Sequence, residues 1–187
     1  MSNATVTEGT FLTDIQELRR RAREHMERGA ATEGYQADTE KVIALLNDAL
    51  ATELVCVLRY KRHYFMAAGV HAKSVSDEFA EHARDEQEHA DRIAERITQL
   101  GGAPNFNPEG LLSRSHAEYI EGKDLEDMIR EDLVAERIAI ESYAEIVRFV
   151  ENKDIVSRRM MEDILATEEE HADDLQKILA RLRPKGH

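Results

Sequence analysis

Apolar residues recur every three or four positions along most of the chain, which is the spacing of one face of an α-helix. Four long stretches have this pattern and predict helices at about 39–68, at 76–100, at 124–151, and from a break at 152–154 to about 182. A shorter helix is predicted at 13–28, where Thr13 and Gln16 have the spacing of a capping box. Asp38 is placed to cap the first long helix, and Gly101 is placed to end the second.

The lengths of the connections predict how these helices are arranged. The first and second long helices are joined by a short link, as are the third and fourth, whereas the segment 101–123 between the two pairs is long. A long connection inside a compact domain is typical of a chain that crosses a bundle. The sequence therefore predicts an all-α four-helix bundle, built from two antiparallel hairpins with a long crossover. Its expected boundaries are 38–183, after an N-terminal extension with a short helix at 1–37 and before a short tail at 184–187.

Composition restricts the environment and the partners. The chain has 187 residues, of which 34% are charged, with 3 Pro, no Trp and a formal net charge of −13. This charge repels DNA phosphates but attracts cations. The single cysteine, Cys56, cannot form an internal disulfide, and no window approaches 18 apolar residues. We therefore expect a cytoplasmic protein that does not cross a membrane.

The predicted core faces contain carboxylates, where a bundle would normally have apolar residues. The stripe on the first long helix consists of Val42, Leu46, Ala49, Glu53, Val57, Tyr60 and Tyr64. The other three stripes contain one carboxylate each, joined by a histidine on the second and fourth helices: Glu86 with His89, Glu136, and Glu168 with His171. Four unpaired buried carboxylates would be prohibitively costly, so the pattern calls for cations or protons.

Two divalent metals would neutralise the four carboxylates, with the imidazoles completing the two sets of ligands. Each Glu-x-x-His spacing places both side chains on one helix face, within reach of the same ion. The halves of the chain also repeat, because Glu86 follows Glu53 by 33 positions and Glu168 follows Glu136 by 32. One Glu-x-x-His is weak evidence in a Glu-rich chain, whereas two at matching offsets indicate a pseudo-two-fold di-metal site.

These motifs resemble the ferritin superfamily, and bacterioferritins most. The similar segments cover about 39–182 and include LNDALATEL at 46–54, DEQEHAD at 85–91, EDLVAE at 131–136, VSRRMM at 156–161 and EEEH at 168–171. The resemblance implies a ferritin-like bundle that binds two iron ions per subunit and oxidises Fe²⁺ with O₂ or H₂O₂. It also implies that Glu53 and Glu168 are terminal ligands, that Glu86 and Glu136 bridge, and that Tyr60 supplies an electron.

The chain departs from bacterioferritins at three places. Gln87 occupies the position of the methionine that ligates haem in that family, so haem is not expected. Only Lys185, Gly186 and His187 follow Pro184, where bacterioferritins have a fifth helix. The N-terminal helix is an addition that resembles Dps-like mini-ferritins. Its apolar residues and the apolar residues just before it could pack against a neighbouring subunit: Phe11, Leu12, Ile15 and Leu18. The last two departures favour a cage of twelve subunits over one of twenty-four.

Other ionisable residues are expected outside the core. His63, His71 and His116 are expected at the surface, and Glu81, His82 and Asp85 on a solvated helix face. The alternative for the last three is that they face a cage interior, as sites of iron transit or nucleation. The arginines near the N-terminus alternate with glutamates, so DNA binding is not expected. The alternatives to iron storage are a di-iron peroxidase of the rubrerythrin type and a DNA-protecting protein of the Dps type.

Overall fold

The computed structural model describes residues 13–68 and 72–182, and these contain four long helices. They are α2 (Thr39–Met66), α3 (Ala72–Gln99), α5 (Leu125–Val150) and α6 (Ile155–Leu182), with the shorter α1 (Ile15–Arg21) and α4 (Leu111–Arg114) before α2 and α5. The pairs α2–α3 and α5–α6 form hairpins, which pack together through α2 on α5 and α3 on α6. The predicted four-helix bundle with a long crossover is confirmed. None of the helices in these residues combines the length and apolarity that crossing a bilayer requires.

The ends of the long helices lie close to their predicted positions. Asp38 accepts a hydrogen bond from the backbone N–H of Lys41, as an N-cap does. Gly101, which follows α3, has φ 82°, a left-handed conformation that glycine adopts at little cost. Helix α3 begins at Ala72, four residues earlier than predicted.

The predicted N-terminal helix at 13–28 is shorter than expected. Helix α1 ends at Arg21, and a separate 3₁₀ turn follows at Met26–Arg28. Its N-cap is Asp14 and not Thr13, because the Asp14 carboxylate accepts from the Gln16 and Glu17 amides. No residue of α1 is buried, so tertiary packing does not extend this helix. Part of the expected subunit-packing surface, Phe11 and Leu12, lies outside the described residues, as do His71 and the tail at 184–187.

The crossover between the hairpins is held to α2 by polar side chains. The Asn47 carboxamide oxygen accepts from the backbone N–H of Asn105 at 2.8 Å, and the Thr52 hydroxyl accepts from the amide of His116 at 3.0 Å. Where the crossover begins, a Cβ on Gly102 would lie 2.8 Å from a methyl carbon of Ile43, so the backbone can approach α2 this closely only with glycine. The crossover therefore packs along the bundle and does not form an open loop.

The apolar core consists of two clusters with a polar layer between them. Ile93, Tyr143 and Ile164 belong to one cluster, and Tyr60 and Leu175 belong to the other. One residue of the predicted stripes is misplaced: the Tyr64 side chain is exposed, because it lies near the end of α2, beyond the packed part of the bundle.

A buried hydrogen-bond cluster fixes the start of α6. Asp154 accepts from the amide of Ser157 at 2.9 Å, from the Tyr35 hydroxyl at 2.7 Å and from the Arg96 guanidinium at 2.9 Å. Asp154 thus joins the segment before α2 and the last turn of α3 to the last helix.

We expect Asp154 to make stability depend on pH in the acidic range. Burial acts in the opposite direction, but hydrogen bonds from Ser157 and Tyr35 and the charge of Arg96 lower the pKa of Asp154 in the folded chain. The stabilisation is therefore complete above the unfolded pKa of about 4 and is lost as the pH falls through the lower folded value. Chemical denaturation at several pH values should show Asp154→Asn less stable by about 1–2 kcal/mol at pH 7. The difference in the free energy of unfolding between wild type and variant should disappear towards pH 2. A difference that does not change with pH would contradict this interpretation.

Candidate metal centre

The six predicted ligands meet in the polar layer between the two apolar clusters. Each of the four long helices contributes one carboxylate, and α3 and α6 add a histidine one turn later. All six residues are at most 4% exposed: Glu53, Glu86, His89, Glu136, Glu168 and His171. The helix periodicity that places apolar residues towards the core also turns these six side chains towards one another.

The side chains form two groups, each organised around one imidazole. His89 Nδ1 lies 3.0 Å from Glu168, 3.3 Å from Glu86 and 3.6 Å from Glu53. His171 Nδ1 lies 3.6 Å from Glu168, 3.7 Å from Glu86 and 3.9 Å from Glu136. In each group the candidate ligand atoms lie within 4.8 Å of one another, a span that one metal ion can coordinate.

Two carboxylates belong to both groups, and they are not the pair expected from the resemblance. Glu86 and Glu168 take part in both, whereas Glu53 is found only beside His89 and Glu136 only beside His171. This grouping differs from the expected division, with Glu86 and Glu136 bridging, and favours Glu168 in place of Glu136 as the second shared carboxylate. The shared carboxylates come from α3 and α6, the two helices with the Glu-x-x-His motif, which are in contact with each other.

Several buried atoms in this layer make no hydrogen bond within the described residues. They are Glu86 Oε1, Glu136 Oε2, both carboxylate oxygens of Glu168, and His171 Nδ1. A buried oxygen without a partner costs about 1–3 kcal/mol, and more if it is charged. These atoms all belong to residues of the two groups, so the donor set fits divalent cations that prefer oxygen and imidazole nitrogen.

The electrostatics of the layer agree with a need for cations. Burial, followed by repulsion from Glu86, raises the pKa of Glu53 well above its usual range. Burial and the neighbouring carboxylates Glu53 and Glu136 likewise raise the pKa of Glu168. Burial would lower the pKa of His89, but the carboxylates of Glu168, Glu86 and Glu53 lie 3.0–3.6 Å from its Nδ1, and their influence outweighs burial and raises that pKa to about 12. The carboxylates are therefore costly to ionise together unless positive charge lies among them.

Two tyrosines link the groups crosswise. The Tyr60 hydroxyl on α2 donates a hydrogen bond to Glu136 on α5, and the Tyr143 hydroxyl on α5 donates to Glu53 on α2. Sequence reasoning singled out Tyr60 but gave Tyr143 no role beyond packing. The signal was present, because each tyrosine follows the glutamate of its own helix by seven positions. The pseudo-two-fold repeat therefore extends to the tyrosines that orient the unshared carboxylates.

His82 is buried next to the centre, contrary to the prediction of a solvated face. Its ring stacks on that of His171 with centroids 3.9 Å apart, and its Nδ1 lies 3.2 Å from the Tyr60 hydroxyl. Burial and the charge of His171 lower the pKa of His82 to about 4, so the imidazole is neutral at neutral pH. Of its predicted surface neighbours, Glu81 is exposed and Asp85 is half-buried, 3.3 Å from His171 Nε2.

His63 is also buried, although the sequence predicted a surface position. Its Nδ1 lies 2.7 Å from Asp132, which accepts a 2.8 Å hydrogen bond from Arg59. The Arg59 guanidinium also donates to the carbonyl oxygen of Glu118 in the crossover. This buried cluster ties α2, α5 and the crossover together beside the metal centre. His116 is exposed, as predicted.

The chain is a four-helix bundle with a buried cluster of carboxylates and histidines that could hold metal ions. Comparisons with known proteins place the chain in a family. The sequence model of the ferritin-like domain family matches residues 43–184. The chain belongs to this family.

Its relatives include bacterioferritins and a bacterioferritin-related protein, and Dps has the same fold. The bacterioferritin of Rhodobacter capsulatus is 31% identical over 78% of this chain and 89% of its own length, and that of Desulfovibrio desulfuricans is 29% identical over 78% of each. The bacterioferritin-related protein of Bacteroides fragilis, described as a dodecameric thioferritin, aligns with a TM-score of 0.76 at 33% identity, over 79% of this chain and 89% of that one. Dps from Thermosynechococcus elongatus shares the fold, with a TM-score of 0.73 at 22% identity over 79% and 92% of the two chains.

We expect the purified protein to show no Soret absorption band, even when it is produced with excess haem precursor. Gln87 stands where the bacterioferritin motif has the haem-ligating methionine, and its carboxamide donates to Asp91 at 3.0 Å. A carboxamide lacks the thioether that ligates haem iron in that position. Absorption spectroscopy of wild type beside Gln87→Met provides the comparison, and a stoichiometric haem spectrum in the wild type would contradict the prediction.

Proposed function

We propose that this protein stores and detoxifies iron, using a di-iron ferroxidase centre within each subunit of a hollow homo-oligomer. The observation that carries the proposal is the pair of histidine–carboxylate groups that share Glu86 and Glu168. Two cations bound side by side, with carboxylates common to both, are suited to a reaction that removes one electron from each. The names of the bacterioferritin relatives support iron as the cation.

Fe²⁺ is the substrate of the proposed reaction. Two Fe²⁺ ions give up two electrons to O₂, which takes up two protons and leaves as H₂O₂; with H₂O₂ as oxidant, the same electrons and two protons yield two water molecules. The Fe³⁺ product is then deposited as mineral inside the cage. Glu53 and Glu136 each hold one ion, Glu86 and Glu168 hold both, and His89 and His171 complete the two ligand sets.

Tyr60 has a distinct role in this proposal. Its hydroxyl donates to Glu136 and lies near His82, so its ring is within a few bonds of the iron ligands. We infer that Tyr60 can supply an electron when fewer than two Fe²⁺ ions are available to reduce the oxidant. Tyr143, which donates to Glu53, is the equivalent residue on the other side of the pseudo-two-fold axis.

The function is tested by adding Fe²⁺ anaerobically to iron-free protein and then admitting O₂. The expected result is that two Fe²⁺ per subunit bind and oxidise quickly, followed by slower oxidation of further iron into a soluble mineral. Oxidation no faster than in buffer, or binding of fewer than two ions, would contradict the proposal. Repeating the reaction with H₂O₂ identifies the preferred oxidant and separates storage from peroxidase activity.

DNA protection is not favoured as the main role. Two of the three arginines of α1 pair with acidic neighbours, since Arg20 lies 2.8 Å from Glu17 and 2.5 Å from Glu24, and Arg21 lies 2.7 Å from Glu17. These pairs are exposed and individually weak, but they offset the positive charge that would contact phosphates. The net charge of −13 adds to the repulsion.

We expect the native assembly to contain twelve subunits. With a subunit mass of 21.3 kDa, twelve copies have a mass of about 256 kDa. The Bacteroides fragilis relative, described as dodecameric, supports this number over twenty-four. Native mass spectrometry checks it directly. A monomer or dimer at micromolar concentration would contradict storage in a cage and favour a di-iron enzyme of the rubrerythrin type.

A further inference from the structure

A second cluster of metal-binding side chains lies directly beside the centre. Glu78 and His82 are one turn apart on α3, and Asp174 faces them from α6. Each offers a ligand atom within 4.8 Å of the other two, and His82 Nε2 lies 3.5 Å from a carboxylate oxygen of Glu78. The cluster contains one imidazole and two carboxylates, the donor types found in the centre itself.

The three side chains run from solvent to the interior. The Asp174 side chain is 46% exposed, that of Glu78 is 29% exposed, and that of His82 is only 3% exposed. Asp174 pairs with the cation Lys177, whose Nζ lies 3.2 Å away in an exposed pair on the same helix. Such a pair is weak, so a divalent cation can replace it.

His82 connects this cluster with the centre. Its ring stacks on the His171 ring, and it also belongs to a group with Glu136 and His171 whose ligand atoms lie within 4.8 Å of one another. The same imidazole therefore lies within coordination distance of two outer carboxylates on one side and of two ligands of the centre on the other. His82 is therefore common to the outer group and to a group that contains two ligands of the centre.

We propose that Glu78, His82 and Asp174 form a third cation site, which binds Fe²⁺ from solvent and passes it to the di-iron centre. The proposal rests on the proposed ferroxidase function and adds the route by which the substrate arrives. One imidazole and two carboxylates suit Fe²⁺ and Co²⁺. Because the cluster is partly exposed, an ion bound there keeps some water ligands and is held more weakly than in the buried centre. Weaker binding allows the ion to move on to the centre.

The test uses Co²⁺ alone as a probe that binds without being oxidised by air on the time scale of the titration. The variant is the double substitution Glu78→Gln with Asp174→Asn in the full-length assembled protein. The matched control is Asp77→Asn with Asp173→Asn, which removes the same charge from the adjacent exposed positions of the same helices. We expect wild type and control to bind three Co²⁺ per subunit, and the variant to bind two.

Anomalous scattering from Co²⁺-soaked crystals shows which ions are bound. The expected wild-type map has two peaks at the centre and one between Glu78, His82 and Asp174, and the variant keeps only the first two. With limiting Fe²⁺, the initial oxidation rate of the variant should fall about tenfold relative to the control, because the site concentrates the substrate.

The outcomes separate this inference from the proposed function. Two peaks at the centre and none in the outer cluster of the wild type would overturn the third site and leave the ferroxidase proposal intact. A third ion with an unchanged oxidation rate in the variant would overturn the transit role. Absence of ions from the centre itself would contradict the ferroxidase proposal.

Discussion

Replacement of Glu168 by glutamine is expected to abolish fast Fe²⁺ oxidation while leaving the bundle folded. Glu168 belongs to both ligand groups, so the change removes a charged ligand from each ion at once. Loss of a residue that hydrogen-bonds to a metal ligand typically lowers metal affinity or activity about 10–100-fold. Loss of a shared ligand should therefore lower the oxidation rate at least about 100-fold. Stopped-flow oxidation by O₂ measures the rate, and circular dichroism confirms the helical content. The apo variant should also be no less stable than wild type, because a repelling buried charge has been removed.

A comparison with two other substitutions makes this prediction specific. Glu169→Gln is the control, since Glu169 is the next residue on α6 but is exposed. Glu136→Ala should also prevent fast oxidation, yet it leaves the group around His89 complete. It should therefore still bind one Co²⁺ per subunit tightly, whereas Glu168→Gln weakens both. If Glu168→Gln oxidises Fe²⁺ as fast as the wild type, Glu168 is not a ligand. If Glu168→Gln and Glu136→Ala bind Co²⁺ equally, Glu168 is not shared by the two ions.

Replacement of Asp132 by asparagine is expected to cause the largest loss of stability among single polar substitutions beside the centre. The Asp132 and Arg59 side chains are 0% and 1% exposed, and their hydrogen bond is 2.8 Å long. Burial raises the pKa of Asp132 despite the presence of His63 and Arg59, so the ion pair itself need not add much stability. Removing the carboxylate charge, however, leaves the Arg59 cation buried without compensation, at a cost of about 3–5 kcal/mol.

This loss of about 3–5 kcal/mol corresponds to a decrease of about 6–20 °C in melting temperature for a chain of this size. Chemical denaturation compares the variant with Glu126→Gln, which breaks another acid–arginine pair of α5. That pair, Glu126 with Arg130, is nearly half exposed on both sides, so its loss should cost about 0–1 kcal/mol. If the two variants lose the same stability, burial does not determine the free-energy cost of breaking an acid–arginine pair, and the prediction for Asp132 is wrong.

The sequence alone was sufficient for the bundle and for the six candidate ligands. Both depend on a local property, the 3.6-residue period, which decides whether a side chain faces the core wherever the helix packs. Glu53 and Glu136 could be recognised because each interrupts an apolar stripe, and His89 and His171 because each follows a glutamate by three positions. The offsets between these residues then indicated that the halves of the chain form one site.

The tertiary structure decided which residues meet across the bundle. Glu168 and not Glu136 lies within both ligand groups, and helical spacing contains no information about which side chains meet across the bundle. His63 and His82 lie at the margins of their stripes, where burial depends on the neighbouring segment. The crossover covers His63, and the rings of Tyr60 and His171 enclose His82. The local sequence of a helix determines which of its side chains face the core. Which side chains they contact there is determined only when distant segments of the chain pack together.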